Sequence, residues 1–141
     1  MALATTPQVT ATLNITSPNL LNDSLALSVT SKLYKAGTSE PIDQTTGLSR
    51  KLYSTVTNEP LFLADDYTDS KANKIYIKNT SSSTSEYVTL SIAIGATSAT
   101  NVEIGVLYGG DFAYFPWSGE YDIDISTSAD IVVESMLLHE G

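Results

Sequence analysis

Tyr87-Val88-Thr89-Leu90-Ser91-Ile92-Ala93-Ile94 decides the fold. Val88, Leu90, Ile92 and Ile94 alternate with Tyr87, Thr89, Ser91 and Ala93. Successive side chains of a strand point to opposite faces, so this period of two predicts a half-buried β-strand. The same alternation recurs on both sides. Upstream, Ile75 and Ile77 sit inside Lys74-Ile75-Tyr76-Ile77-Lys78, with the two lysines and Tyr76 on the other face. Downstream come Val102, Ile104 and Val106, then the aromatic run Phe112 to Trp117, then Tyr121, Ile123 and Ile125, then a strand from Ile131 to about Leu138.

Nearer the start, Val9, Ala11, Leu13 and Ile15 line one face of a strand that Pro18 closes. Leu25, Leu27, Val29 and Leu33 form a second, ended by Gly37. Leu48, Leu52 and Val56 suggest a less regular third, and Leu61 to Leu63 a short apolar run. Turn signals lie between them at Thr46-Gly47, Thr80 to Ser85, Gly109-Gly110-Asp111 and Gly119. Many short strands at even spacing, without helices, predict an antiparallel sandwich or barrel. The expected architecture is all-β: a single-domain, jelly-roll-like β-sandwich over 9–141, preceded by an extended N-terminal arm over 1–8.

Composition supports an ordinary core and an unusual surface. Hydrophobic residues make up 42% of the 141 residues, enough for a globular domain. Charged residues make up only 16%, and 36 residues are Ser or Thr. Thr keeps a surface wet without charge and favours strands through its branched Cβ. All seven basic residues lie at or before Lys78, so residues 80–141 hold nine acids and no base, which accounts for the net charge of −9. Affinity for phosphate needs Lys and Arg, so a nucleic-acid partner and an anionic membrane surface are both disfavoured. The acidic half reads either as a solvated face or as a docking face for a basic partner.

Chemistry is sparse. There is no cysteine, which excludes disulfides, thiolate metal sites and thiol catalysis. The N-terminal residues show neither a basic nor an apolar signal region, and no stretch approaches a membrane span. His139 is the single histidine, and no Gly-x-Ser-x-Gly elbow or phosphate-cradling loop accompanies it. Asp65, Asp66 and Asp69 cluster after the Leu61–Leu63 run, and Asp122 and Asp124 share a strand face. Either group could contribute oxygens to calcium, but neither has an ordered ligand spacing, and Asp is common in turns. No catalytic, metal or cofactor site is expected, and the chain reads as a non-enzyme.

Phe112-Ala113-Tyr114-Phe115-Pro116-Trp117 stands out. Alternation puts Phe112, Tyr114 and Pro116 on one face and Ala113, Phe115 and Trp117 on the other. Core packing, an interface anchor and a sugar-stacking platform all remain open. The interface residues expected are Phe112, Tyr114, Phe115 and Trp117, joined by Leu3 and Pro7 of the arm.

A resemblance covers about residues 73–140. Asn73-Lys74-Ile75-Tyr76-Ile77-Lys78-Asn79-Thr80, then Ile104-Gly105-Val106-Leu107-Tyr108-Gly109-Gly110-Asp111-Phe112-Ala113-Tyr114-Phe115-Pro116-Trp117, then Glu134-Ser135-Met136-Leu137-Leu138-His139-Glu140 follow in order. This order resembles small virion structural proteins of tailed bacteriophages, especially those of marine cyanobacteria. The resemblance implies a β-rich accessory protein on the particle, assembled in the host cytoplasm, with a major capsid protein or another virion protein as partner. A capsid decoration protein is the first expectation, a tail- or fibre-associated adaptor the second, and a carbohydrate-binding module the third. Low charge density joined to aromatic density predicts a homo-oligomer, with a trimer favoured.

Overall fold

The computed structural model describes residues 8–20, 22–95 and 100–140. Among them the regular structure is strand, with one 3₁₀ turn at Ala64–Asp66. No helix is long and apolar enough to cross a membrane among the described residues. The expected N-terminal arm, with Leu3 and Pro7, lies outside the described residues except for Gln8. The chain divides into two compact units, Met1–Asp43 and Gln44–Gly141. The boundary falls inside the stretch that the sequence treats as one domain.

The first unit is built on a hairpin of β1 (Thr10–Ser17) and β2 (Leu25–Lys32). Eight residue pairs run in unbroken antiparallel register from Thr10↔Lys32 to Ser17↔Leu25. The Leu33 amide donates to the Val9 carbonyl and the Ile42 amide to the Leu33 carbonyl. A bridge pairs Tyr34 with Pro41, and Leu33 and Ile42 are buried. Lys35 pairs with Asp43 at 3.0 Å.

The second unit is an antiparallel sandwich. Its strands are β3 (Gln44–Thr45), β4 (Ser49–Ser54), β5 (Glu59–Phe62), β6 (Asn73–Asn79), β7 (Tyr87–Ile94), β8 (Thr100–Tyr108), β9 (Phe112–Trp117), β10 (Asp122–Thr127) and β11 (Asp130–His139). One sheet runs β5-β10-β7-β8. In the other, β11 pairs with β6, which pairs with β9, while β4 and the short β3 both pair with β11. The pairing is nested: β4 with β11, β5 with β10, β6 with β9, and β7 with β8.

Both sheets give their inner residues to one core. Ile75, Ile77, Ile131, Val133 and Leu137 come from one sheet, and Val88, Leu90, Leu107, Ile123 and Ile125 from the other. Trp117 joins them, 4% exposed, edge-on to Tyr67 at 5.5 Å and tilted against Phe62 at 6.1 Å. Its indole N–H donates to the Tyr121 carbonyl at 2.8 Å, so the buried polar atom is satisfied.

Two buried asparagines end β6. The Asn79 amide donates to the carbonyls of Glu86 and Leu107, and its oxygen accepts from the Ser81 amide. This clamps the Ser/Thr loop after β6 onto the turn after β8. Gly109 lies in that turn, and a Cβ there would fall 2.1 Å from the Ser83 carbonyl oxygen. Only glycine allows backbone to approach so closely. At the other end the Asn73 side-chain oxygen accepts from the Glu140 backbone amide, and the Glu140 carboxylate accepts from the Ala72 amide.

Candidate interaction face

The second unit turns the outer face of the β4-β11-β6-β9 sheet toward solvent. Register sets what lies side by side on it. Arg50, Glu134, Lys78 and Phe112 form one row across four strands, and Met136, Tyr76 and Tyr114 form the next. Leu52 lies opposite Val132 one step further along β4 and β11.

A fixed polar centre sits in the middle. Glu134 is 8% exposed although it points away from the core. Its carboxylate accepts from the Tyr76 hydroxyl at 2.7 Å and from Arg50 Nε at 2.7 Å. The Tyr76 hydrogen bond and then Arg50 hold the Glu134 carboxyl below its ordinary range. Burial, and next the hydrogen bond to Glu134, push the Tyr76 phenol up to about 12. Both groups therefore keep one protonation state through neutral pH.

Apolar side chains flank that centre. Phe112 is 58% exposed, Leu52 56%, Tyr114 45% and Val132 36%. The Arg50 side chain is itself mostly exposed. Aromatic residues and Arg around a desolvated centre, with charge at the rim, are the composition that interfaces favour.

The expected interface residues divide by parity. Phe112 and Tyr114 lie on the open face. Phe115 is half-buried against the core, and Trp117 is buried in it. Of the residues expected at an interface, Trp117 thus lies in the core and Phe115 packs partly buried against it. Tyr114 and Trp117, on opposite faces of β9, form no common sugar platform.

The chain matches no protein-family model, no curated protein and no solved structure.

The remaining candidates follow the local geometry. Asp65 and Asp122, from the two acidic groups, line one open depression of about 390 Å³ with Glu120 and Tyr121. Asp122 already accepts from the Ala64 amide at 2.7 Å, and no three acidic or His side chains converge on a metal position among the described residues. Asp124, two positions further along β10, is buried and accepts from Asn101 Nδ2 at 2.7 Å. His139 packs edge-on against Tyr67 with ring centres 5.1 Å apart.

Sequence reasoning missed Arg50, Leu52, Tyr76, Val132 and Glu134 as members of one face. Lys74-Ile75-Tyr76-Ile77-Lys78 carries the signal that Tyr76 points outward. The join to Glu134 and Arg50 depends on β11 lying between β4 and β6, which no local pattern encodes.

Proposed function

We propose that this protein is a non-enzymatic virion structural protein of a tailed phage, most specifically a decoration protein that stabilises an assembled capsid shell. The observation that carries the reading is the outer sheet face just described: exposed Phe112, Tyr114, Leu52 and Val132 around the Arg50–Glu134–Tyr76 centre. Such a wall offers a protein partner apolar area and fixed polar groups at once. The nested strand order from β4 to β11 supports it, because we read it as the winding of an eight-stranded jelly roll, an architecture that viral capsid domains use. The ordered resemblance over residues 73–140 points the same way.

The mechanism is mass action. A protein that binds the assembled lattice better than free subunits stabilises the lattice by its binding free energy. Shell protein is the partner, and the protein acts as a homo-oligomer on the particle. A carbohydrate-binding role has less support, since Tyr114 and Trp117 stand on opposite faces of β9.

The test is localisation and attachment. Antibody against the purified protein is expected to label the heads of tailed-phage particles in electron micrographs. Isolated protein is expected to rebind stripped heads, with binding lost in a Phe112→Ser/Tyr114→Ser variant. Label on the tail would replace the decoration reading with a tail adaptor, and particles without label would overturn the virion reading.

A further inference from the structure

The β1–β2 hairpin carries a second apolar face that the virion reading does not use. Register sets Leu13 opposite Val29 and Ile15 opposite Leu27. Those four aliphatic side chains lie together on one side, each between 43% and 50% exposed. The other side is Thr and Asn on β1 and Ala26, Ser28, Thr30 and Lys32 on β2, with Thr12 and Thr30 hydroxyls 3.1 Å apart. A two-stranded sheet is marginal in water without something on its apolar face.

We infer that this face is covered by the same face of a second copy of the chain. Charge chooses that occupant. Residues 1–43 hold three acids and two bases, whereas residues 44–141 hold thirteen acids and five bases. Two copies brought together through the second unit would bring together two bodies of strong like net charge, which opposes association. The strands of the hairpin hold a single charge, Lys32 at the end of β2. It is therefore the surface on which two copies meet with least repulsion. A basic partner would be drawn to the acidic unit instead, and the hairpin face has no aromatic ring for a sugar. The face is also self-complementary: four aliphatic groups of similar size at its centre, with Ser31 and Ser17 at its two ends, which a two-fold axis can stack on itself.

Size sets the strength. Eight residues at about 3.3 Å rise and two strands about 4.8 Å apart give a face of roughly 250 Å² per copy, well below a standard interface. Association through it is weak and concentration-dependent in free solution. It becomes effective where copies are held close together.

The experiment is sedimentation of the full chain over a wide concentration range, with the oligomeric state read directly. Self-association is expected, and Leu13→Lys is expected to weaken it by at least about tenfold through like charges across the contact. Thr12→Lys, on the opposite face, is expected to leave it unchanged. Because Leu13→Lys could unfold the hairpin, cysteine reporters give an independent reading in a chain with no cysteine of its own. Val29→Cys is expected to form a disulfide-linked dimer on mild oxidation far faster than Thr30→Cys. Equal rates for the two reporters, or a chain that stays monomeric at millimolar concentration, would overturn the inference. So would a monomer in which Leu13 and Val29 are protected from solvent, because the face would then be covered within one chain.

Discussion

Tyr76 and Glu134 meet diagonally across β6 and β11, the phenol donating to the carboxylate at 2.7 Å on the outer side of the sheet. The pair marks where a sheet face that mixes apolar and basic side chains holds a buried charge in place. Its two members titrate far apart, and each gives stability a pH edge. Glu134 is depressed in the folded state. Its contribution is complete above the unfolded carboxyl range and is lost as pH falls through the lower folded value. Tyr76 is raised from 10.0 to about 12. Its contribution is complete below pH 10 and is lost as pH rises from there through about 12. Denaturant midpoints against pH should show both edges. Glu134→Gln should remove the acid edge and bring the last tyrosine titration, read by ultraviolet absorbance, back toward 10. An unchanged tyrosine titration in that variant would refute the pairing.

Trp117 and Phe112 belong to one aromatic segment and have opposite fates. Trp117→Ala should cost about 3–5 kcal/mol, the range for emptying a large core site. Phe112→Ala should fall within about 0.5 kcal/mol of the parent, as exposed positions do. Chemical denaturation followed by circular dichroism measures both. Equal losses would mean that the parity of β9 is wrong.

Gly109→Ala should destabilise by about 1–3 kcal/mol, because the added Cβ meets the Ser83 backbone and one of the two segments must move. Hydrogen exchange should rise at Ser81 and Ser83, whose amides are held by Asn79 and by the Ser81 hydroxyl. A variant of unchanged stability and exchange would show that the loop yields freely.

Asn79→Leu removes three hydrogen bonds and leaves the carbonyls of Glu86 and Leu107 without their amide donor. Orphaning buried acceptors costs about 1–3 kcal/mol each, so the expected loss exceeds that of the glycine change. Thermal denaturation of the two variants side by side tests the order.

Strand positions were legible because alternation survives wherever one face is buried. Ile75 and Ile77, Val88 and Leu90, and Ile123 and Ile125 all point inward as their period demands. The reading failed where the strand is an edge or is bulged. Around β4 the apolar period suggested Leu48 and Leu52, yet Tyr53 fills the core and both leucines are exposed. In β8 an irregularity opposite Leu90 and Ser91 leaves Val102 and Ile104 at the surface while Leu107 is buried. The hairpin shows the same limit from the other side. Leu13, Ile15, Leu27 and Val29 alternate as cleanly as any core strand, but period reports only that residues share a face, never what lies against it. The outer-face cluster was illegible for a different reason: Arg50 and Glu134 are 84 residues apart and meet only through β11.

The nested order also dictates how the second unit must come together in time. β11 sits between β4 and β6, yet it follows every other strand along the chain. Until it is in place, β4 has no ladder and the two ends of the nest cannot close. Local hairpins such as β7–β8 can form early, but the long loop between β4 and β11 must lose its freedom before any contact rewards it. Assembly of the unit is therefore slow and late relative to its local pieces. Damage to Ile131, Val133 or Leu137 would be felt as a chain that never closes rather than as a weakened edge.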